Sequence, residues 1–227
     1  MIEREKFGLR ISAEVERVPK EVIEKLKEYD TGLLCDGMLN SGAMHSCIKP
    51  LIPGKVIVGT AITVKLPIGD SMVISKAMDI AQEGDIVVVD AHGTTDNAVI
   101  GDIKYLTCKL KGIAGIVVDG AVRDIKGMRE FEFPVFAKAL TCRSSSKNNP
   151  GEINIPISCG GITVRPGDII FADDEGVVVV PPEYLDEIIE NVEKKKVVAT
   201  RMRQEAREGQ YVTGKFIEQM KKYGYKD

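Results

Sequence analysis

Stretches whose apolar residues recur every three or four positions alternate here with continuously apolar, β-branched stretches. That alternation predicts helices interleaved with buried strands, an α/β chain. PKEVIEKLKEYD (19–30) reads as a helix with Pro19 near its first turn and Val22, Ile23 and Leu26 on the buried face. TGLLCDGMLNSGAM (31–44) is less regular and predicts a short helix with glycine breaks. KVIVGTAITVKL (55–66) is a strand around Gly59, and residues 71–82 return to helical spacing through Met72, Val73, Ala77 and Ile80. GDIVVVDAHG (84–93) is a buried strand entered through a turn. Residues 98–111 are helical, with Ile103, Leu106 and Leu110 as the apolar stripe. GIAGIVVDG (112–120) and FPVFAKAL (133–140) are the next strands.

CRSSSKNNPGEINIPISCGG (142–161) is polar and rich in turn formers, and predicts a loop or irregular hairpin. VRPGDIIFADDEGVVVVPP (164–182) reads as strand, tight turn, strand. A long amphipathic helix follows, with Leu185, Ile188, Ile189, Val192 and Met202 on one face, ending near Gly209. Beyond it, Tyr211, Phe216, Ile217 and Met220 are too apolar for a free tail and are expected to dock on the body or on a neighbouring subunit. EGDIVVVD (83–90) and PGDIIFAD (166–173) echo each other, which reads as a turn–strand solution used twice rather than a repeat array. No linker is visible, so residues 1–227 are read as one domain.

Composition narrows the function. The 227 residues are 44% hydrophobic and 29% charged, ordinary for a globular domain with a sizeable core. The net charge of −3 and the lack of a basic stripe leave no footprint for nucleic acid. No apolar run approaches the roughly 18 residues needed to span a bilayer. MIEREKFGLR lacks the apolar core of a secretory signal. Five cysteines, an odd number without a C-x-x-C pair, suggest neither a disulfide framework nor a zinc site, so a reduced, cytoplasmic protein is expected.

The candidate chemistry lies at Asp102 and at Arg123–Asp124. Twenty residues separate Asp102 from Arg123 and read as one helix, a glycine turn and one strand. This spacing can bring two carboxylates and a guanidinium to one sheet edge. The carboxylates can hold a hard divalent cation through oxygen, and the guanidinium can clamp a small carboxylate bidentately. Gly101 opens the helix, where backbone N–H groups and the dipole favour an anion. Spacing alone equally allows a surface Arg–Asp pair beside an aspartate at a helix start. Among other polar residues, His92 is expected to position its loop, and His45 to be structural. Asp36 is expected to cap or pair, Asp173-Asp174-Glu175 to form a hairpin turn, Ser144–Ser146 a flexible loop, and Cys108 part of the core.

GTAITV, GDIVVVDAHGTTDNAVIGD, GIAGIVVDGAVRD and PGDIIFADDEGVVVVPPEYLDEI together resemble the 4-hydroxy-4-methyl-2-oxoglutarate aldolases. That family also holds the regulator of ribonuclease activity A and proteins misnamed demethylmenaquinone methyltransferases. The resemblance spans roughly residues 30–208, and DGAVRD with its upstream aspartate is its most specific part. It implies a swivelling β/β/α fold, like that of phosphohistidine domains, with a mixed β-core flanked by helices. It implies trimers, sometimes paired as hexamers, with sites between subunits. It further implies a Mg²⁺- or Mn²⁺-dependent lyase that releases pyruvate from 4-hydroxy-2-oxo acids and also decarboxylates oxaloacetate. By resemblance, Asp124 binds the metal, Arg123 holds the pyruvate carboxylate and oxyanion, and Asp102 supports metal-bound water or proton transfer. The backbone of Gly101, Asp102, Ile103 and Lys104 receives the substrate carboxylate. Glu205, preferred over Glu208, reaches a neighbour's metal from the C-terminal helix. Gly127 departs from members that carry an acid there, so no ligand is expected at that point. No Gly-rich strand–turn–helix with a downstream acidic ribose ligand supports methyl transfer. A Schiff-base aldolase would need a desolvated lysine, and the sequence singles out none of Lys65, Lys104 and Lys138. The alternatives are a non-enzymatic binding regulator and a lyase acting on another sugar acid.

Overall fold

In a computed structural model of the chain, residues 3–6, 8–210 and 214–226 are described. Strands β1 (Glu3–Lys6) and β2 (Leu9–Ile11) precede helices α1 (Lys20–Leu26) and α2 (Thr31–Gly37). The two-residue β3 (Lys49–Pro50) leads into the long β4 (Ile57–Lys65). Three helix–strand steps follow: α3 (Ile74–Ile80) and β5 (Ile86–Asp90), α4 (Asp102–Leu110) and β6 (Gly115–Val122), α5 (Ile125–Glu130) and β7 (Val135–Leu140). Then come β8 (Glu152–Ile153), β9 (Ile157–Cys159), β10 (Ile162–Val164), β11 (Ile169–Asp173) and β12 (Gly176–Val180). A single 3-10 turn leads into α6 (Leu185–Arg207), and α7 (Gly214–Lys221) follows it.

Strands β4, β5, β6 and β7 pair in parallel in that order. Strand β4 serves two surfaces. Ala61–Lys65 pairs with β5, while Ile57–Thr60 pairs antiparallel with β11, which forms a hairpin with β12. Period-two alternation then sorts side chains into layers. Val87, Val89, Ile116 and Val118 face α3, α4 and α5. Ile86, Val88 and Val117 turn the other way, to meet Ile170, Ala172, Val177 and Val179 of the hairpin. Ile169, Phe171, Val178 and Val180 face Leu26, Leu34, Ile188 and Val192 of α1, α2 and α6. Continuously apolar strands are required because both sheet surfaces are covered. The result is the expected mixed β-core flanked by helices.

The two Gly-Asp echoes are one turn built twice. Gly84 and Gly167 sit at φ 85° and 92°. The following aspartate accepts the N–H three residues back, Gln82 to Asp85 at 2.8 Å and Arg165 to Asp168 at 2.7 Å. Asp173 is likewise a hairpin residue, accepting from Glu175 N–H and from the N–H and hydroxyl of Thr31.

Several expectations need correcting. Helix α2 stops at Gly37, because Leu39 and Asn40 turn left-handed at φ 57° and 61° and lead the chain back to a bridge with β12. The 142–161 segment is more ordered than a loop: β8 joins β2 to β4, and β9 pairs with β10 across Gly160-Gly161. Helix α4 begins at Asp102 rather than at 98, because Ala98 bridges Ala121 and Ser144 in extended form. Its stripe is also inverted. Ile103, Leu106 and Leu110 are 78%, 39% and 79% exposed, while Tyr105 and Cys108 pack on the sheet. On α7, Phe216 and Met220 are exposed, so of the two docking places expected for them the chain's own body does not cover them. Tyr211 lies outside the described residues. All five cysteines are free thiols, and among the described residues no helix is long and apolar enough to cross a membrane.

Candidate active site

Strand β6 carries the site at its C-terminal end. Its pairing with β7 slips between Val118 and Ala121, a bulge of the kind that re-aims a strand end. Arg123 then donates its N–H to Ile100 O at 3.0 Å, and the buried Tyr105 hydroxyl donates to Arg123 O at 2.8 Å. Burial pushes the Tyr105 phenol well above its ordinary pKa, so it stays a hydrogen-bond donor. Asp124 adopts the left-handed conformation, φ 62° and ψ 47°, which is uncommon for a residue with a side chain. That turn places its carboxylate over the start of α4. Oδ2 accepts Asp102 N–H at 3.2 Å and lies 3.2 Å from Arg123 Nε.

Gly101 makes this approach possible. A Cβ there would stand 2.4 Å from Asp124 Oδ2 and 3.1 Å from Arg123 Nε. Gly127 does the same for the neighbouring helix, since a Cβ would stand 2.7 Å from Asp102 Cβ. Any side chain at 127 would push against Asp102.

A cavity of about 370 Å³ opens here, walled by Ala98–Gly101 and lined by Asp102, Ile103, Lys104 and Arg123. The guanidinium of Arg123 touches protein only through Nε, leaving its two terminal nitrogens without a partner among the described residues. Asp102 Oδ1 accepts its neighbour Ile103 N–H at 2.8 Å. Asp102 Oδ2 and Asp124 Oδ1 carry no hydrogen bond among the described residues. Two open carboxylate oxygens at one helix start suit a hard cation completed by water. Three of the four backbone donors expected for the substrate are already engaged: Asp102 N–H by Asp124, Ile103 N–H by Asp102, and Lys104 N–H by Gly101 O at 3.0 Å. The carboxylates that would take a cation are thus the ones now occupying two of these donors.

The third expected acid is not at this site within one chain. Glu205 pairs with Arg201 at 3.6 Å on α6, and Glu208 accepts from Gln204 at 2.6 Å. Neither lines the cavity. Among the described residues no group of three His, Cys, Asp or Glu stands ready for a metal. His92 sits at φ 57°, with Nε2 2.7 Å from Leu66 O and its N–H on Asp90, which holds the loop after β5. His45 donates its N–H to Gly160 O, Asp36 is exposed on α2, and Cys108 is buried, its thiol pushed up to about 12 by burial.

Three features escaped the sequence reading. Lys104 is the desolvated lysine: burial, followed by repulsion from Lys147, lowers its ammonium to about 8. Lys138 instead pairs with Asp119 at 3.8 Å. Ser144 and Ser145 belong to the cavity wall with Ser71, Ser75 and Lys147. Fully buried Asp70 anchors that wall, accepting from Ser146 Oγ and from the N–H groups of Met72, Asn148 and Asn149. Burial alone would raise its pKa, but these bonds outweigh burial and hold the carboxyl well below its usual range. The partners lie 76 or more residues from Asp70, apart from Met72, so no local motif announces the contact.

The family model described as RraA-like, aldolase/RraA, matches residues 31–179, which include Gly101 to Asp124 but not Glu205. A protein of Halalkalibacterium halodurans, named for a proposed 4-hydroxy-4-methyl-2-oxoglutarate aldolase activity, is 42% identical over 176 residues, covering 78% of this chain and 84% of that protein. Streptomyces coelicolor RraAS2, described as an unusual member of the RNase ES inhibitor RraA family, superposes with a TM-score of 0.74 at 30% identity. That match covers 82% of this chain and 100% of the other. An uncharacterized Pseudomonas syringae protein superposes with a TM-score of 0.78 at 27% identity, covering 86% and 92%.

Proposed function

The chain belongs to the RraA-like aldolase/RraA family, and from that membership we propose that it is a divalent-metal-dependent carbon–carbon lyase. Its substrates are 4-hydroxy-2-oxo acids such as 4-hydroxy-4-methyl-2-oxoglutarate, cleaved to pyruvate and a second oxo acid. Oxaloacetate decarboxylation runs in the same site. The family also contains ribonuclease inhibitors, which act by binding. The observation that favours catalysis is the Arg123 fork, whose terminal nitrogens have no partner among the described residues, beside carboxylate oxygens of Asp102 and Asp124 in one cavity. A surface binder has no need of it.

Asp124 would hold Mg²⁺ or Mn²⁺ directly and Asp102 through water, and the ion supplies Lewis-acid polarisation of the 2-oxo group when bound. Arg123 grips the substrate carboxylate and the 2-oxo oxygen through its terminal nitrogens. Asp102 Oδ2 takes the proton of the 4-hydroxyl as the C3–C4 bond breaks. The bonding pair moves onto C3 and the 2-oxo oxygen, and Arg123 stabilises the resulting enolate charge. Water protonates C3 to complete pyruvate, and Asp102 returns its proton to solvent. With oxaloacetate, C4 leaves as CO₂ and water protonates the same enolate.

In a pyruvate-release assay, EDTA is expected to abolish turnover, and Mg²⁺ or Mn²⁺ to restore it. Lys104 supports one other lyase mechanism, since a desolvated amine can form a Schiff base. Borohydride trapping of pyruvate on the protein would move the chemistry there and overturn the metal mechanism. Metal-independent absence of pyruvate from every 4-hydroxy-2-oxo acid and from oxaloacetate would return the chain to the binding class.

The working unit proposed is a trimer or hexamer. The apolar stripe Ile103, Leu106 and Leu110 lies exposed on the helix that begins at the site, and one chain supplies only two of the three expected acids. A neighbouring copy would cover the stripe and bring Glu205. Light scattering is expected to give three or six chains for the active species. An active monomer would remove the shared site.

A further inference from the structure

A second cavity, of about 520 Å³, lies between the start of α1, the turn before β11 and the start of α6, and shares no lining residue with the one at Arg123. Val18, Val22, Pro166 and Leu185 give it an apolar wall. Asp168 lines the same space, although only 3% of the residue is exposed. A buried carboxylate is costly without a cation. Here the two Gly-Asp turns differ. In the first, Asp85 accepts Gln82 N–H and is also clamped by Arg17, whose Nε and Nη2 stand 3.0 and 2.8 Å from Oδ1 and Oδ2. In the second, Oδ2 of Asp168 accepts Arg165 N–H, and no lysine or arginine among the described residues pairs with the carboxylate. The Arg165 guanidinium turns to Glu183 instead, at 3.8 Å across an exposed pair. Oδ1 of Asp168 has no hydrogen bond among the described residues. Burial, reinforced by Glu183, pushes the Asp168 carboxyl above its ordinary pKa against the pull of Arg165. The charges around the space are unequal as well. Glu16, Asp168 and Glu183 line it, and of its two arginines Arg17 is already bound to Asp85. Arg165 is thus the one lining cation left against three acids.

We propose that this cavity binds a small organic cation, an ammonium group on a short aliphatic chain, with the ammonium on Asp168 and the chain against Val18, Val22 and Leu185. The ammonium takes on Asp168 the place that Arg17 holds on Asp85, and its charge-assisted hydrogen bond compensates the buried oxygen. The aliphatic chain covers the apolar wall. A neutral chain would leave the carboxylate uncompensated, and an anion would be repelled by Glu16, Asp168 and Glu183. The site is separate from the lyase chemistry and does not rest on it.

The test is titration calorimetry on the full chain with pentylammonium, 1-pentanol and pentanoate, repeated on D168N and V22W. The parent is expected to bind pentylammonium about 10- to 100-fold tighter than 1-pentanol, the size of one charge-assisted hydrogen bond, and pentanoate most weakly. D168N keeps an acceptor for Arg165 N–H but removes the charge, and is expected to lose most of that preference. V22W fills part of the cavity from α1 without touching a charge, and is expected to weaken pentylammonium by about 10-fold or more. Circular dichroism reads whether each variant folds, and if D168N does not, V22W decides. Equal binding of pentylammonium and 1-pentanol by the parent overturns the site. So does an unchanged preference in folded D168N, or an unchanged affinity in V22W. Binding of a lysine-containing peptide in place of the small ion also overturns it, in favour of a protein contact.

Discussion

Arg123→Lys is expected to lower kcat/KM for pyruvate release by about 10²-fold or more, by analogy with loss of an oxyanion donor. In the proposed lyase the guanidinium does two jobs at once. Its Nε lies 3.2 Å from Asp124 Oδ2, which fixes its direction, and its terminal nitrogens have no partner among the described residues and are open to a carboxylate and a developing enolate oxygen. An ammonium is a point charge and cannot keep one contact while offering a planar fork for the others. The Arg123 side chain is 40% exposed and the substitution leaves its backbone bonds in place, so the thermal midpoint is expected to stay within a few degrees of the parent. Activity within a few-fold of the parent would show that Arg123 does not hold the reacting group.

Gly101→Ala is expected to cost a similar factor, about 10², through displacement alone. The backbone at Gly101, φ −141° and ψ −172°, is open to any residue, so alanine brings no conformational strain. Its methyl group, however, would stand 2.4 Å from Asp124 Oδ2. The carboxylate must retreat, and it carries both Asp102 N–H and Arg123 Nε with it. A folded protein with weakened metal binding and lowered kcat is the expected outcome, read by circular dichroism, metal titration and the pyruvate assay. Parent-like kinetics would mean that the contact of Asp124 with the start of α4 is incidental to turnover.

The sequence by itself determined the alternation of helices and covered strands, because a strand buried on both faces must be apolar at every position, as IVVVD and IIFAD are. It determined the two Gly-Asp turns, because a left-handed turn residue and a carboxylate three residues beyond the donor form a local motif. It also singled out Gly101, Asp102, Arg123 and Asp124, since helix, turn and strand between them form one local unit. Only the tertiary structure decided which stripe of α4 is buried. Tyr105–Cys108 and Ile103–Leu106–Leu110 both satisfy helical spacing, and packing on the sheet selects the first. It alone decided the cavity's second wall, because Asp70 finds Ser146, Asn148 and Asn149 across more than 70 residues, and desolvation of Lys104 arises from neighbours that no spacing rule connects. Periodicity reports what a segment can bury. Which partner buries it, and which charge is left facing the cavity, depends on contacts between segments distant in the chain.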